Sequence, residues 1–295
     1  MTKSIDRPLV RVALPNKGRL SEKALALFEQ AGLRAQFRAD RALVASLGPD
    51  FQAIMVRAAD IPEFLNDGAA EIGVTGADLV AESGRDLTEV LDLGFGTCRL
   101  VVAVKDESTV TRAAELPAGT RVATSFPGIT RRYFESLGTA IEVAAVSGAT
   151  EIAPHLGVAD VIVDLTSTGS TLRVNGLREL DTIMTSSARL VASPRALADD
   201  TVRPIIEGLS TALESVLRAE ARRYLMANVP RSRLEDVRKV LPGINGPTIV
   251  DVLDDDRWVA AHAVVDADKV YQTITALKEL GAEGILVTRI ERLMP

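Results

Sequence analysis

The amino-acid sequence predicts an α/β protein in which two α/β lobes face each other across a cleft and a small ferredoxin-like βαββαβ domain follows. The first observation is composition: 47% of the 295 residues are hydrophobic but only 4% are aromatic. The cores must therefore consist of Ala, Val, Leu and Ile, as in helix-covered, largely parallel sheets. The second is the alternation of short apolar strands with helical segments. The third is a change to the order βαββαβ after about Leu217.

Apolar runs and turn residues predict the elements of the first lobe. In chain order, we expect strand Leu9–Leu14, a helix capped by Ser21 that runs through Ala31, strand Phe51–Arg57, a short helix over 60–68 and strand Glu71–Thr75.

The second lobe begins near Gly94, and Ala188–Ala192 is expected to return to the first lobe. The resulting limits are 1–94 with 180–217 for the first lobe, 95–179 for the second and 218–295 for the C-terminal domain. Between them we expect strands Arg99–Val104, Arg121–Thr124, Ile141–Val146 and Val161–Asp164, with helices over 131–137, capped by Thr130, and over 149–156.

A long helix opened by Asp199 and Asp200 is expected to reach about Leu217. In the C-terminal domain we then expect strand Tyr224–Val229, a helix opened by a Ser232–Glu235 capping box, a hairpin of Thr248–Leu253 and Trp258–Val265 turning across 254–256, a helix over 267–280 and strand Gly284–Ile290.

Charge and composition argue against several functions. The net charge of -6 lacks the basic footprint of nucleic-acid-binding proteins. No uncharged run approaches the roughly 18 residues of a membrane span, and the N-terminus lacks the apolar segment of a signal peptide, so we expect a cytoplasmic protein. The single cysteine, Cys98, fits a reducing compartment. The only histidines, His155 and His262, make a His-based triad or a His/Cys zinc site improbable.

The stretch Val161–Leu172 carries the most informative motif, because an apolar strand ends in Asp164 and opens into hydroxyl residues around Gly169. A glycine lets the backbone approach a ligand closely, and successive N–H groups and hydroxyls donate to phosphate oxygens. Asp164 ends its strand where open α/β sheets bind ligands, and a carboxylate there can contact sugar hydroxyls. An equally open interpretation is structural: the same residues make an ordinary turn and helix cap.

This loop resembles the phosphoribosyl-pyrophosphate (PRPP) loop of phosphoribosyltransferases, although many of those enzymes carry two adjacent acids where this chain has Asp164 and Leu165. When this loop is taken together with four further segments, the chain resembles the ATP phosphoribosyltransferase family from about Val10 to the C-terminus. The C-terminal domain resembles that of the long, histidine-inhibited form. The four segments are LPNKGRL (14–20), GVTGAD (73–78), LGFGTCRL (93–100) and SGATE (147–151).

The resemblance implies transfer of the 5-phosphoribosyl group from PRPP to N1 of ATP, with release of pyrophosphate, as the first step of histidine biosynthesis. It also implies dependence on Mg²⁺, held mainly through substrate phosphates. Glu151 is a candidate contact to ribose or metal, and the side-chain metal ligands otherwise stay open. The implied catalytic residues are Lys17, Arg19 and Asp164; the implied PRPP-binding residues are Asp164, Ser167, Thr168, Gly169, Ser170 and Thr171; the implied ATP-binding residues are Arg57, Gly76, Asp78 and Arg99.

Each of these residues also has a structural interpretation. Lys17 and Arg19 suit a solvated charged turn, Arg57 and Arg99 suit the surface beside a strand, and Asp78 suits a helix cap. Glu151 suits an ordinary first-turn acid. The sequence does not decide which of Arg131 and Arg132 faces a ligand.

For the C-terminal domain, the resemblance implies inhibition by histidine and a homo-oligomer of dimers that associate into hexamers. Gly246 stands where a Ser would add a donor, which implies weaker histidine binding. A domain that only builds the oligomer is the structural alternative. The implied histidine contacts are Asn228, Gly246, Thr248, Val264 and Gly284.

Two rival functions stay open. Two lobes with a cleft form a periplasmic-binding-protein-like arrangement, which is compatible with a non-catalytic receptor. A catalytically inactive regulatory subunit would also keep this fold.

Overall fold

The computed structural model describes residues 8–39, 42–252 and 256–294. The chain divides into two compact units, one up to Ser210 and one from Thr211. The finer limits of 1–94 with 180–217, 95–179 and 218–295 stay a prediction. Within the described ranges, none of the helices combines the length and the apolar character that crossing a membrane requires.

The first unit is built around two sheets, and eight of their twelve described strands are the apolar runs that the sequence predicted. In chain order the strands are β1 (Val10–Pro15), β2 (Gln36–Phe37), β3 (Val44–Ser46), β4 (Phe51–Val56), β5 (Ile72–Gly76), β6 (Thr88–Asp92), β7 (Cys98–Lys105), β8 (Thr120–Thr124), β9 (Ile141–Ala145), β10 (Val161–Thr166), β11 (Leu177–Ser186) and β12 (Ala188–Ala192). Its helices are α1 (Gly18–Gln30), α2 (Ile61–Asn66), α3 (Ala77–Ser83), α4 (Pro127–Ser136), α5 (Ser170–Val174) and α6 (Pro194–Ala198). A further helix, α7 (Arg203–Glu220), begins in the first unit and ends in the second.

The first sheet has the strand order β2-β3-β4-β1-β5-β12-β6, and the second has the order β11-β7-β10-β8-β9. The predicted parallel pairing holds at their centres, where β1 pairs with β4 and β5 and β8 pairs with β9 and β10. By contrast, β12 runs antiparallel to β5 and β7 antiparallel to β10. These strands enter one sheet directly from the other without a crossover helix, so they arrive in the opposite direction.

The chain passes between the two sheets through two adjacent segments, 93–97 and Ser187. The segments bond to each other: the Ala188 N–H donates to the Phe95 carbonyl at 2.8 Å, and the Leu93 N–H donates to the Ala188 carbonyl at 3.0 Å. The pairing of β12 with β5 confirms the expected return of Ala188–Ala192 to the first sheet. The preceding strand β11 was not predicted, because its sequence LRELDTIMTS lacks an apolar run.

Two helices begin earlier than the sequence predicted. α1 begins at Gly18, and Ser21 lies inside it at 6% exposure, facing the core. α4 begins at Pro127, whose missing N–H is tolerated in a first turn. Thr130 is therefore buried within this helix, and its Oγ1 donates to the Phe126 carbonyl at 2.7 Å. Both predicted caps were wrong, because each of these side chains is buried inside its helix rather than placed at its start.

A contact from α3 caps α4. The two carboxylate oxygens of Glu82 accept from the N–H groups of Gly128 and Ile129 at 2.7 and 2.8 Å. Arg132 Nη2 donates back to the Ala81 carbonyl at 2.5 Å. Because α3 follows β5 of the first sheet and α4 follows β8 of the second, this contact connects the two halves of the first unit.

The predicted helix over 149–156 is also wrong. It is reduced to a 3-10 turn, Thr150–Ile152, preceded by Ala149 in the left-handed region at φ 51°. Pro154 provides the physical reason, since it has no N–H to donate to the Thr150 carbonyl, as a continuing α-helix would require.

The second unit contains β13 (Arg222–Pro230), α8 (Leu234–Val240), β14 (Thr248–Asp251), β15 (Trp258–Asp266), α9 (Val270–Glu279) and β16 (Glu283–Arg289). Its strand order is β14-β15-β13-β16, and all three pairs of neighbouring strands are antiparallel, which confirms the ferredoxin-like prediction. A 3-10 turn, Arg231–Arg233, precedes α8 in place of the predicted Ser232 capping box. The predicted hairpin turn falls mostly on 253–255, outside the described residues.

The helices cover one face of this second-unit sheet. Alternate residues of β13, Leu225, Ala227 and Val229, are buried together with Val237 of α8 and Leu277 of α9. The alternate positions on the same strand, among them Asn228, therefore face away from the helices.

Candidate active site

A cavity of about 660 Å³ opens in the first unit where the two sheets approach each other. Five short segments supply most of its described lining. They are the turn after β1 (Lys17, Gly18, Arg19, Leu20), the start of α3 (Gly76, Asp78, Leu79), the crossing segment with the start of β7 (Gly96, Thr97, Cys98), the end of β10 (Leu165, Thr166, Ser167) and the junction of β11 with β12 (Ser186, Ser187, Ala188).

One wall of the cavity is cationic. Lys17 and Arg19 are exposed side chains at the start of α1, where Gly18 turns the backbone with φ +77°. Lys23, one turn further along the helix, also lines the cavity, and its Nζ lies 5.8 Å from the centre of the Phe95 ring. Three cations around one concave surface favour an anionic ligand, even though the chain as a whole is acidic.

The opposite corner holds a buried carboxylate. Asp78 is 5% exposed, and its Oδ1 accepts from the Ser186 hydroxyl at 2.5 Å while its own N–H donates to Ser186 Oγ at 3.1 Å. A Cβ at Gly76 would collide with this carboxylate, so the glycine makes room for it. Burial raises the pKa of the neighbouring Cys98 thiol, and the negative charge of Asp78 adds to that rise.

The loop after β10 forms a tight turn held by its own hydroxyls. Thr166 Oγ1 accepts from the Gly169 N–H at 2.9 Å, and Thr168 Oγ1 donates to Ser170 Oγ at 2.9 Å. Gly169 has φ +71°, and a Cβ there would lie 2.9 Å from Glu179 Oε1. The first part of the loop, through Ser167, reaches the cavity lining. The later members Thr168, Gly169, Ser170 and Thr171 follow outside that lining.

Asp164 is half-buried just before this loop. Burial raises the pKa of its carboxyl group, and the negative charge of Glu151 adds to the rise. Hydrogen bonds from the Leu165 N–H, at 2.7 Å, and from the Thr150 hydroxyl oppose it. The carboxylates of Asp164 and Glu151 therefore lie close enough to repel each other. A cation bound between them would reduce this repulsion.

Two residues predicted to bind ATP lie outside the cavity lining. The Arg99 guanidinium forms a two-point ion pair with Glu179, at 2.6 and 3.0 Å, and donates to Thr182 Oγ1 at 3.2 Å. Arg57 is an exposed residue directly after β4.

Several residues of the cavity wall were not predicted from the sequence. Their polar groups come from places without a motif: Lys23 lies on the exposed side of a helix, and Ser186 ends an unpredicted strand. Cys98 and Thr97 lie within the segment LGFGTCRL, which had been noted only for its resemblance. The missed residues are Lys23, Thr97, Cys98, Phe126, Ser186 and Ser187.

In the second unit, the structure brings part of the predicted histidine set onto the uncovered sheet face. Thr248 lies opposite His262 and Val264 opposite Tyr224, and Tyr224 Oη lies 3.0 Å from His262 Nδ1. Asn228 is exposed on this face.

Two glycines complete that set. Gly284 has φ +57°, and a Cβ there would lie 3.4 Å from Asn228 Nδ2. Gly246 lies in the turn before β14 with φ +95°, and its N–H donates to the Pro242 carbonyl at 2.9 Å. Gly246 therefore belongs to the loop before the sheet rather than to its face.

The fold and the cavity are those of a two-lobed α/β protein whose cleft suits phosphorylated ligands. The family model of ATP phosphoribosyltransferase matches residues 57–215, and that of the HisG C-terminal domain matches residues 219–292. The chain therefore belongs to the ATP phosphoribosyltransferase family, whose members are transferases of histidine biosynthesis.

Individual relatives agree over their whole length. The chain is 60% identical to the ATP phosphoribosyltransferase of Gemmatimonas aurantiaca, over 97% of this chain and 100% of the relative. It is 52% identical to that of Natronomonas pharaonis over the same shares. Among solved structures, the ATP phosphoribosyl transferase (HisG:HisZ) complex from Thermotoga maritima matches with a TM-score of 0.63 and 30% identity, over 71% of this chain and 99% of that chain.

Proposed function

We propose that the chain transfers the 5-phosphoribosyl group of PRPP to N1 of ATP and releases pyrophosphate. The observation that carries this proposal is the shared cavity: the cations Lys17 and Arg19, the carboxylate Asp78 and the entrance of the phosphate-type loop all line it. A reaction between two phosphate-rich substrates needs such a surface, with cations for the charges and a carboxylate for neutral donors.

In this reaction the lone pair of adenine N1 forms a bond to the anomeric carbon of PRPP while that carbon's bond to pyrophosphate breaks. The pyrophosphate leaves with the electron pair. Lys17 and Arg19 stabilise the growing negative charge, and the loop residues from Ser167 to Thr171 hold the 5-phosphate. Because N1 carries no proton to remove, no general base is needed at this nitrogen. Asp164 orients the ribose through its hydroxyls.

Gly76 and Asp78 bind ATP in this proposal, and Arg57 and Arg99 stay candidate ATP contacts. For Arg99 to bind ATP, it would have to leave or share its ion pair with Glu179. Among the candidate ATP contacts, Arg99 is therefore the one whose side chain would have to change its present interactions most in order to bind ATP.

The described residues fit Mg²⁺ in the mode that uses few protein ligands. They contain no group of three or more His, Cys, Asp or Glu side chains that would cage a metal. Mg²⁺ at phosphate sites usually takes one or two carboxylates together with substrate oxygens, and the neighbouring carboxylates of Asp164 and Glu151 provide that number. When bound, the metal would neutralise charge on the leaving pyrophosphate.

The test is a turnover assay with ATP, PRPP and Mg²⁺, followed by mass spectrometry and ultraviolet absorbance. We expect a phosphoribosyl adduct of ATP with the absorbance of an N1-substituted adenine, together with stoichiometric pyrophosphate. Binding of either substrate without product would favour a receptor or an inactive subunit and would contradict the proposal.

We also propose feedback inhibition by histidine at Asn228, Gly246, Thr248, Val264 and Gly284. Support comes from the uncovered sheet face and its edge, which offer an amide, a hydroxyl and strand-end backbone groups, the kinds of group that recognise an amino acid. Removing the residues after about Leu217 should abolish inhibition while leaving activity measurable. An intact enzyme indifferent to millimolar histidine would contradict this regulation.

Finally, we propose a homo-oligomer of dimers that form hexamers, and a cytoplasmic location. The Thermotoga relative is a multi-chain complex, and β14 and β16 are sheet edges at which another chain can pair. Sedimentation with and without histidine tests the assembly, and a monomer under every condition would contradict it.

A further inference from the structure

The residue that holds Asp78 comes from the other sheet. Asp78 is the second residue of α3, beside the first sheet, whereas Ser186 is the last residue of β11 in the second sheet. The two positions are 108 residues apart in the chain. Both side chains are nearly inaccessible, at 5% and 3% exposure, and both also line the cavity.

Two hydrogen bonds join this pair in opposite directions. The Ser186 hydroxyl donates to Asp78 Oδ1 at 2.5 Å, and Ser186 Oγ accepts from the Asp78 N–H at 3.1 Å. The Asp78 main chain and side chain are thus fixed by one serine. The Ala77 N–H adds a bond to the Ser187 carbonyl at 3.1 Å, so the start of α3 rests directly on the β11–β12 junction.

The carboxylate keeps capacity for a ligand. An ionised carboxylate offers about four acceptor positions, and the Ser186 bond uses one of them. Gly76 leaves the carboxylate its space, because a Cβ at this position would collide with Asp78 Oδ1. A group whose main chain and side chain are both held by one neighbour, and which lines a cavity, is preorganised, and preorganisation reduces the entropy lost on binding.

We infer that Ser186 is a positioning residue for ATP, which acts by holding the Asp78 carboxylate in its binding orientation. This inference rests on the proposed function, in which Asp78 accepts a hydrogen bond from the nucleotide. A purely structural role would weaken the binding of both substrates. By contrast, we expect Ser186 to affect the binding of ATP and to leave the binding of PRPP nearly unaffected, since it does not belong to the phosphate-type loop.

The experiment compares Ser186→Ala with Ser193→Ala. Ser193 is a matched control because it is also buried, at 7% exposure, and its hydroxyl accepts from the Ala196 N–H at the start of a short helix, outside the cavity lining. Both variants lose a serine cap. We expect Ser186→Ala to raise the Kd and KM for ATP about tenfold with the KM for PRPP changed less than twofold, whereas Ser193→Ala changes neither constant.

A second comparison isolates the path through Asp78. In an Asp78→Asn background, adding Ser186→Ala should weaken ATP binding less than twofold further, because the two residues act as one unit. If Ser186→Ala does not fold, Ser186→Cys provides the same measurement, since it keeps the approximate size but donates weakly.

The outcomes separate this inference from the proposed function. A wild-type protein that makes no product from ATP and PRPP would overturn both. A productive wild type would overturn the inference alone in either of two cases: if Ser186→Ala left the ATP constants within twofold of the wild type, or if the tenfold loss persisted in the Asp78→Asn background.

Discussion

The two units of this chain treat buried polar groups differently. Among the described residues, eleven of the twelve buried polar or charged side chains lie in the first unit, at or before Ser193. The twelfth is Ser215 of α7, whose hydroxyl donates to the Ala212 carbonyl one turn earlier. The core of the second unit is otherwise apolar, and its ion pairs, such as Arg233 with Asp236, are exposed.

This difference reflects what each unit has to do. A buried polar group costs free energy unless it is hydrogen-bonded, so it is retained where it positions something. In the first unit four of these eleven groups line the cavity: Asp78, Thr166, Ser186 and Ser187. The second unit keeps a simple apolar core beneath its helices and leaves polar side chains for the open sheet face. Substitutions of the polar groups at the cavity of the first unit should therefore affect chemistry, whereas substitutions in the core of the second unit should affect packing.

The largest expected effect belongs to Gly169→Val. Valine rarely adopts the φ of +71° that the backbone has at position 169, and its side chain would collide with Glu179 and Arg173. The substitution should therefore distort the loop. We expect kcat/KM with PRPP to fall at least about 100-fold, or about 2.7 kcal/mol of transition-state stabilisation. Gly157→Val is the control, since that glycine has φ +67° but open space around it. Near-normal kinetics of Gly169→Val with PRPP would show that the site has been assigned to the wrong loop.

Leu277→Ala should test the second unit, because this fully buried side chain belongs to its apolar core. A cavity of this kind costs about 2–5 kcal/mol of unfolding free energy. Calorimetry should show the transition of the second unit at a lower temperature. Leu286→Ala, at a site 58% exposed, should change it by less than about 0.5 kcal/mol. Equal effects of the two substitutions would contradict the description of this core.

Glu82→Gln should destabilise the first unit by about 1–3 kcal/mol, because it removes the charge from two hydrogen bonds to the start of α4. Urea unfolding measures this difference. Glu63→Gln is a suitable control, since it removes an exposed ion pair with Arg85 and should cost at most about 1 kcal/mol. If Glu82→Gln proves no more costly than this control, the contact between α3 and α4 does not stabilise the fold.

Lys17→Met and Arg19→Gln should each lower kcat/KM about tenfold, or about 1.4 kcal/mol, while Tm stays nearly constant. Both cations are exposed, so they contribute little to stability, yet both line the cavity. Arg34→Gln, which removes an exposed cation paired with Glu29, should leave the kinetics unchanged. A large fall in Tm for Lys17→Met or Arg19→Gln would instead favour a structural role for the turn.

The smallest expected effect is a gain in stability from Asp164→Asn at neutral pH, accompanied by a loss of activity. Burial and Glu151 raise the pKa of Asp164, so the folded state binds more protons than the unfolded state and stability falls as pH rises through that pKa. Asparagine removes this cost. Thermal unfolding should show the gain at pH 7, shrinking as pH falls and disappearing below the unfolded pKa of about 3.9. A gain independent of pH would exclude this cause.

Short-range patterns predicted much of the fold and part of the site. The apolar runs of β1, β4 and β10 needed only local sequence, and so did the loop around Gly169. The predicted turn through Lys17 and Arg19 is shorter than expected, since Arg19 already belongs to α1. Predictions failed where a distant partner replaced a local one. Thr130 was expected to cap α4, but the carboxylate of Glu82 satisfies the start of this helix instead.

The candidate ATP residues also divide into those that local sequence placed at the cavity and those that a distant partner holds elsewhere. Gly76 and Asp78 lie two residues apart in the chain and both line the cavity. Arg99 looked equally available in the sequence, but Glu179, on the neighbouring strand β11, holds its guanidinium. No local sequence pattern predicts β11, so neither the Arg99–Glu179 ion pair nor the position of Ser186 could be predicted from the sequence.

By itself, the sequence determined the family, the α/β alternation, the ferredoxin-like order and the residues of the phosphate-type loop. Each of these is encoded by neighbours in the chain, because strand, turn and cap preferences depend on a few consecutive residues. Only the tertiary structure decided which side chains share the cavity. Ser186 reaches Asp78 because β11 pairs with β7 in a register that ends at Cys98, and β12 then enters the first sheet beside β5. A strand's register depends on its pairing partner, which lies far away in the sequence, so this geometry exists only in the folded chain.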